Sequence, residues 1–227
     1  MNIVTGYFTG GELPGEATRY RGFTVWGKET VSEADVLLFK EDINDFWSGF
    51  FANEGQHYTP PAVLVHEIQE GVVDTPCGPV EVDNASYCAS DHTIHVLRGF
   101  LQQNFLPIGD FAVGFVLAHE WAHAAQQQLS ISDDSRLWTI QKELQADCLA
   151  GIYTNYAIFE SDKIEIEPGD VQEAAVSAFL VGDPEGTPPD DPQAHGSSQQ
   201  REGAFYAGFN RGFAPCWQYT SVPGALP

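Results

Sequence analysis

Val116-Leu117-Ala118-His119-Glu120-Trp121-Ala122-His123-Ala124-Ala125-Gln126 is the stretch on which the reading of this chain turns. It holds no glycine or proline, and its helix-compatible pattern runs from Gly109 or Asp110 to about Leu129. On a helix, residues four apart lie one above the other, so His119 and His123 can offer both imidazoles to one ion. Glu120 sits one residue round from His119, close enough to touch a water at that ion without ligating the ion. Two neutral imidazoles suit zinc, and the carboxylate supplies a base. A chain with seven histidines contains such an HExxH by chance roughly once or twice in a hundred sequences, so the motif needs a second element beside it.

That element lies downstream. Glu143-Leu144-Gln145-Ala146-Asp147 falls on the next expected helix, from about Ser135 to Phe159, with nineteen residues between His123 and Glu143. A loop between the two helices lets the second return antiparallel and bring Glu143 to a third ligand position. Asp147, one turn further on, can accept a hydrogen bond from the distal nitrogen of a ligand histidine, fixing its tautomer. The ligand set His119, His123 and Glu143 leaves a fourth position for water, as a catalytic zinc site requires. The plainer reading of Glu143 and Asp147 is a solvated acidic face. Against it, Gln145 to Gly151 is otherwise apolar and small, so two acids there need a partner.

Further helices are expected at Asp170–Leu180 and from Ser197 or Ser198 to about Gly212. Upstream, Val36, Leu37, Phe39, Ile43, Phe46, Trp47, Phe50 and Phe51 fall largely on one helical face, and Ser32 with Glu33 and Asp35 makes a helix start. Strands are expected at Ala62–Val65, Val80–Val82 and Thr93–Leu97, the last as an edge strand able to hold an extended substrate. Short strands followed by a helical block give an α+β fold with a small, mainly antiparallel sheet. Residues 28–227 read as one domain. Residues 1–27, rich in glycine and without a clear period, read as an N-terminal extension with one strand at most.

In combination, HEWAHAAQ at 119–126 and ELQADCLAG at 143–151 resemble the bacterial neutral zinc metallopeptidase family, and more broadly the gluzincin arrangement of HExxH with a downstream ExxxD. Thr59 to Leu64, Cys77-Gly78 with Tyr87-Cys88, and Ala194-His195-Gly196-Ser197-Ser198-Gln199-Gln200-Arg201 are also similar to the family. The resemblance spans about Val31 to Cys216. It implies a zincin-like fold, one catalytic zinc ion on His119, His123 and Glu143, Glu120 as general base and Asp147 behind the ligands. It also makes His195 or Arg201 a candidate for stabilising the oxyanion of a tetrahedral intermediate. The alternative for these two is structural: His195 capping the final helix, Arg201 paired with an acid to lock helices together.

Composition narrows the partners. Against 10 basic residues stand 32 acidic ones, a net charge of −22 that repels nucleic-acid phosphates and anionic lipid surfaces. High-salt solubility, basic substrates and calcium in acidic loops such as Asp183–Asp191 all suit that charge, and a solvated loop is the plainer account of the last. No apolar run is long enough to span a bilayer. Cys77, Cys88, Cys148 and Cys216 form no CxxC pair; their even number and wide spacing fit two disulfides, 77 with 88 and 148 with 216, and an oxidising, extracellular or cell-envelope setting. Four reduced, buried cysteines are the alternative. Met1–Gly22 has no basic start followed by an apolar stretch, so an exported protein would carry its leader outside this sequence. His92 and His95, three apart in an expected strand, point to opposite faces and do not share one ion, and His57 and His66 lack ligand spacing; all four read as surface or satisfied residues. The expected activity is zinc-dependent hydrolysis of a peptide or protein. Its rivals are an exported binding module with a structural or latent zinc, and a zinc hydrolase of a non-peptide amide or ester.

Overall fold

The computed structural model describes residues 18–20, 23–25, 33–67, 72–81 and 84–227, in an α+β arrangement of short strands followed by a helical block. Two short strands, β1 (Thr18–Tyr20) and β2 (Phe23–Val25), pair antiparallel where one strand at most was expected. Ser32 and Val82 lie outside the described residues. Helix α1 (Glu33–Asn53) buries Val36, Phe39, Ile43, Phe46, Trp47 and Phe51, most of the apolar face visible in the sequence; Phe50 is half-buried and Leu37 is exposed.

Five strands come next: β3 (Ala62–His66), the β4–β5 hairpin (Val72–Thr75 and Gly78–Glu81), β6 (Ala85–Cys88) and β7 (Thr93–Leu97). The main sheet has the order β3-β7-β6 and is mixed: β3 runs parallel to β7, and β6 antiparallel to it. Thr93–Leu97 is therefore not an edge. All five of its residues are buried, as expected for a strand with neighbours on both sides, and the edge beside the helices belongs to β6.

A short helix α2 (Arg98–Phe100) runs on into a single π-helical turn, Leu101–Phe105. The helical block is α3 (Asp110–Gln128), α4 (Thr139–Phe159), α5 (Asp170–Leu180), α6 (Ser198–Arg211) and α7 (Phe213–Tyr219). Helix α3 is its axis, with every residue from Phe111 to Ala122 buried. At its start, Glu173 of α5 lies under Gly109 and accepts from the main-chain nitrogen of Phe111 at 3.2 Å. A β-carbon on Gly109 would meet that carboxylate at 1.9 Å.

Helices α4 and α6 meet backbone to backbone. A β-carbon on Gly208 would fall 1.8 Å from the Cys148 carbonyl oxygen, and one on Gly151 would fall 2.1 Å from that of Phe205. This close approach carries Arg201, one turn into α6, onto Asp147 of α4. The start of α6 is set by a capping box: Ser197 Oγ accepts from Gln200 N at 3.3 Å, and Gln200 Oε1 accepts from Ser197 N at 2.9 Å. Disulfides join Cys77 to Cys88, tying the β4–β5 hairpin to the end of β6, and Cys148 to Cys216, tying α4 to α7. Among the described residues no helix is long and apolar enough to cross a membrane.

Candidate metal centre

Helix α3 presents His119 and His123 one turn apart, and α4 brings Glu143 against both. The two Nε2 atoms are 3.1 Å apart. Glu143 Oε2 is 3.2 Å from His119 Nε2, and its Oε1 is 3.3 Å from His123 Nε2.

The hydrogen bonds behind these groups fix which atoms carry hydrogen. His119 Nδ1 lies 2.9 Å from Asp147 Oδ1, and Asp147 can only accept when ionised, so Nδ1 is the donor and Nε2 presents its lone pair. His123 Nδ1 lies 2.8 Å from Gln126 Oε1. Gln126 is fully buried and spends its amide hydrogens on the Lys142 carbonyl at 2.8 Å and Gln145 Oε1 at 3.0 Å. Gln145 in turn donates to the Cys216 carbonyl at 3.2 Å and Thr220 Oγ1 at 2.8 Å. Carbonyls at Lys142 and Cys216 can only accept, so both amides have one orientation and His123 must donate from Nδ1.

With both imidazoles neutral, as a metal ion requires, two Nε2 lone pairs and a carboxylate would face one another. Donors about 2.0–2.1 Å from a tetrahedral zinc ion stand roughly 3.3 Å apart, and these separations are within 0.2 Å of that. The residues fit the ion. The electrostatics agree. Burial alone would lower the His119 pKa, but the hydrogen bonds and charges of Asp147 and Glu143 outweigh it and push the imidazole up to about 10. Burial likewise opposes ionisation of Glu143, yet the two imidazoles hold its carboxyl well below the ordinary value. Without a metal the site gathers protons, as a cation site should.

Glu120 is buried beside this cluster, and its Oε2 accepts from the main-chain nitrogen of Tyr87 on β6 at 2.8 Å. Burial pushes its pKa up, and the neighbouring imidazoles partly counter it. A cavity of about 430 Å³ opens over the cluster, with the edge of β6 from Asn84 to Tyr87 on its wall. His195 reaches that cavity with its side chain about half exposed and Nδ1 3.5 Å from Asp183 Oδ1. Arg201 is buried and committed: its Nε and Nη2 donate to the two oxygens of Asp147 at 2.8 and 2.9 Å, and Nη1 to the Val181 carbonyl at 3.0 Å. That pair holds Asp147 ionised against the cost of burial.

Residues 26–217 match the family described as "Putative neutral zinc metallopeptidase". The chain belongs to this family. Relatives within reach of it include "Uncharacterized protein YpfJ" of Escherichia coli strain K12, 30% identical over 232 residues that cover 92% of this chain and 77% of the relative. "Uncharacterized protein Mb2605" of Mycobacterium bovis is 31% identical over 180 residues, covering 68% and 60% respectively. No solved structure matches the chain at a significant level.

Of the expected site residues, His119, Glu120, His123, Glu143, Asp147 and Arg201 come together, and His195 stands at the rim of the cavity. The other histidines are engaged elsewhere. His92 lies in the turn before β7, at a φ of 54°, not in the strand; it contacts Tyr87 Oη at 2.8 Å and the Thr59 carbonyl at 2.9 Å. His95 lies between His66 Nε2 at 3.0 Å and Asp91 Oδ2 at 3.1 Å. Sequence reasoning missed Gln126 and Tyr87. Gln126 was within reach, since it is three residues after His123 on the same helical face. The main-chain nitrogen of Tyr87 carries no sequence signal at all.

Proposed function

We propose that this protein is a zinc-dependent peptidase in which His119, His123 and Glu143 hold one metal ion and Glu120 is the general base. The observation that carries the reading is the convergence of two imidazole Nε2 atoms and the Glu143 carboxylate at zinc-like separations, with the carboxylate of Glu120 buried alongside. Zinc bound there would supply a Lewis acid that lowers the pKa of a coordinated water to about 7 and polarises the scissile carbonyl.

The chain's own groups do the rest. Glu120, with one oxygen held by Tyr87 N–H, accepts the proton of the attacking water and returns it to the departing amine. His195, steered by Asp183 at the cavity rim, donates to the developing oxyanion. Arg201 acts at one remove, because its Nε–Nη2 edge is taken by the two oxygens of Asp147; it keeps Asp147 ionised and aligned, and Asp147 aligns His119. The substrate lies extended along the cavity wall beside β6.

The family match over residues 26–217 supports reading 28–227 as one peptidase domain with 1–27 as an extension. Two disulfides support an extracellular or cell-envelope location. The test is Glu120→Gln in zinc-loaded protein assayed on a peptide mixture. Turnover should fall by about 10³-fold with zinc content unchanged. Full turnover in that variant would remove Glu120 from the mechanism, and failure of wild-type protein to cut any peptide while cutting esters would move the activity to another substrate class.

A further inference from the structure

We infer that the π-helical turn Leu101–Phe105 builds an apolar pocket beside the metal centre, and that the pocket selects peptides with a bulky aromatic or aliphatic side chain next to the scissile bond. The inference rests on the peptidase reading above. Leu106 N donates to the Leu101 carbonyl at 2.9 Å, the five-residue reach that defines the turn. In an α-helix, Phe100 and Phe105 would point roughly 140° apart, at about 100° per residue. The wider turn narrows that angle, and both rings reach the cavity, packed edge to face with centroids 5.0 Å apart. Gln102 and Gln103, between them, point to solvent. An uncommon backbone geometry is thus spent on aiming two phenyl rings at one place.

Phe115 and Val116 of α3 continue that wall. They lie four and three residues before His119, hence on its helical face, and the Phe115 ring centroid is 6.1 Å from that of His119. The apolar surface therefore begins next to the metal ligands, where the side chain flanking a scissile bond would rest. Charge points the same way, against the simple reading of a net −22. Among the described residues the only acids on the cavity wall are Glu120 and Glu143, both committed to the centre, and Arg201 is neutralised by Asp147. A lysine or arginine side chain entering here would lose its hydration and find no free counter-ion.

The experiment is to incubate zinc-loaded protein with a peptide library, map the cuts by mass spectrometry, and then measure kcat/KM for matched peptides carrying Phe, Leu, Ala, Lys or Glu at the selected position. Phe and Leu should exceed Ala, Lys and Glu by roughly 10- to 150-fold, the effect of burying one such side chain. Val116→Phe, which fills the pocket, should bring the Phe:Ala ratio to one or below, and Phe105→Ala should reduce it several-fold, with zinc content and circular dichroism confirming the fold of each. Should either variant not fold, the wild-type ratios alone decide. Cleavage with equal rates on the five peptides, or with Lys preferred, would overturn the pocket and leave the peptidase reading standing. No cleavage of any peptide would overturn both.

Discussion

On the helical side of the candidate metal centre the histidines and their supports are held in series: His119 by Asp147, Asp147 by the Nε–Nη2 edge of Arg201, His123 by Gln126, and Gln126 by Gln145 and the Lys142 carbonyl. On the strand side Glu120 has one main-chain hydrogen bond from Tyr87, and His195 stands half exposed beside Asp183. The difference matches what each side has to do. Metal ligands need fixed tautomers and fixed directions before the ion arrives, and buried networks with one consistent arrangement provide them. On the proposed function the strand side admits a peptide and exchanges protons with it, and there the rim residue His195 stays half exposed.

If the helical side is the more tightly specified, breaking it should cost most. Arg201→Ala leaves Asp147 buried with His119 as its one remaining partner, and calorimetry should find a loss of about 3 kcal/mol; a loss under about 1 kcal/mol would mean that the His119 contact compensates the charge by itself. The two disulfides sharpen the comparison. Cys148–Cys216 closes a separation of 68 residues on the helical side and Cys77–Cys88 one of 11 on the strand side. Replacing each pair with alanine should cost about 4 and about 3 kcal/mol respectively by denaturant titration, and the reverse order would contradict the loop-entropy account. Gln126→Ala should lower zinc affinity by about 10- to 100-fold in a competition assay with a chelating dye. An unchanged affinity would show that His123 needs no fixed tautomer. His92→Asn, on the strand side, should cost about 1 kcal/mol and leave zinc binding as it was.

The same asymmetry governs what could be read from the sequence. His119, His123 and Gln126 share a helical face at spacings of four and three, so their convergence follows from the 3.6-residue period alone. Glu143 and Asp147 are likewise one turn apart, and the apolar residues around them mark that face as inward. Arg201 was visible only as a candidate. Its pairing with Asp147 depends on Gly151 and Gly208 letting α4 and α6 touch, a long-range fit that local pattern does not encode. The strand side was misread for a related reason: Thr93–Leu97 has the composition of a strand, but which strand forms the edge is decided by pairing across the chain, and β3 takes the far side of β7 in parallel. The π-helical turn was also invisible, since its residues suit an ordinary helix. What remains legible is the chemistry that one helix can carry by itself.

The central claim is that three residues from α3 and α4 hold one zinc ion, and metal content tests it most directly. Wild-type protein and Glu143→Ala, both supplied with zinc and then stripped of loosely held ions, should be compared by mass spectrometry. About one zinc per wild-type chain and a sharp fall in the variant is the result the account predicts. Folded wild-type protein that retains no zinc, or a Glu143→Ala variant that retains it fully, would contradict it.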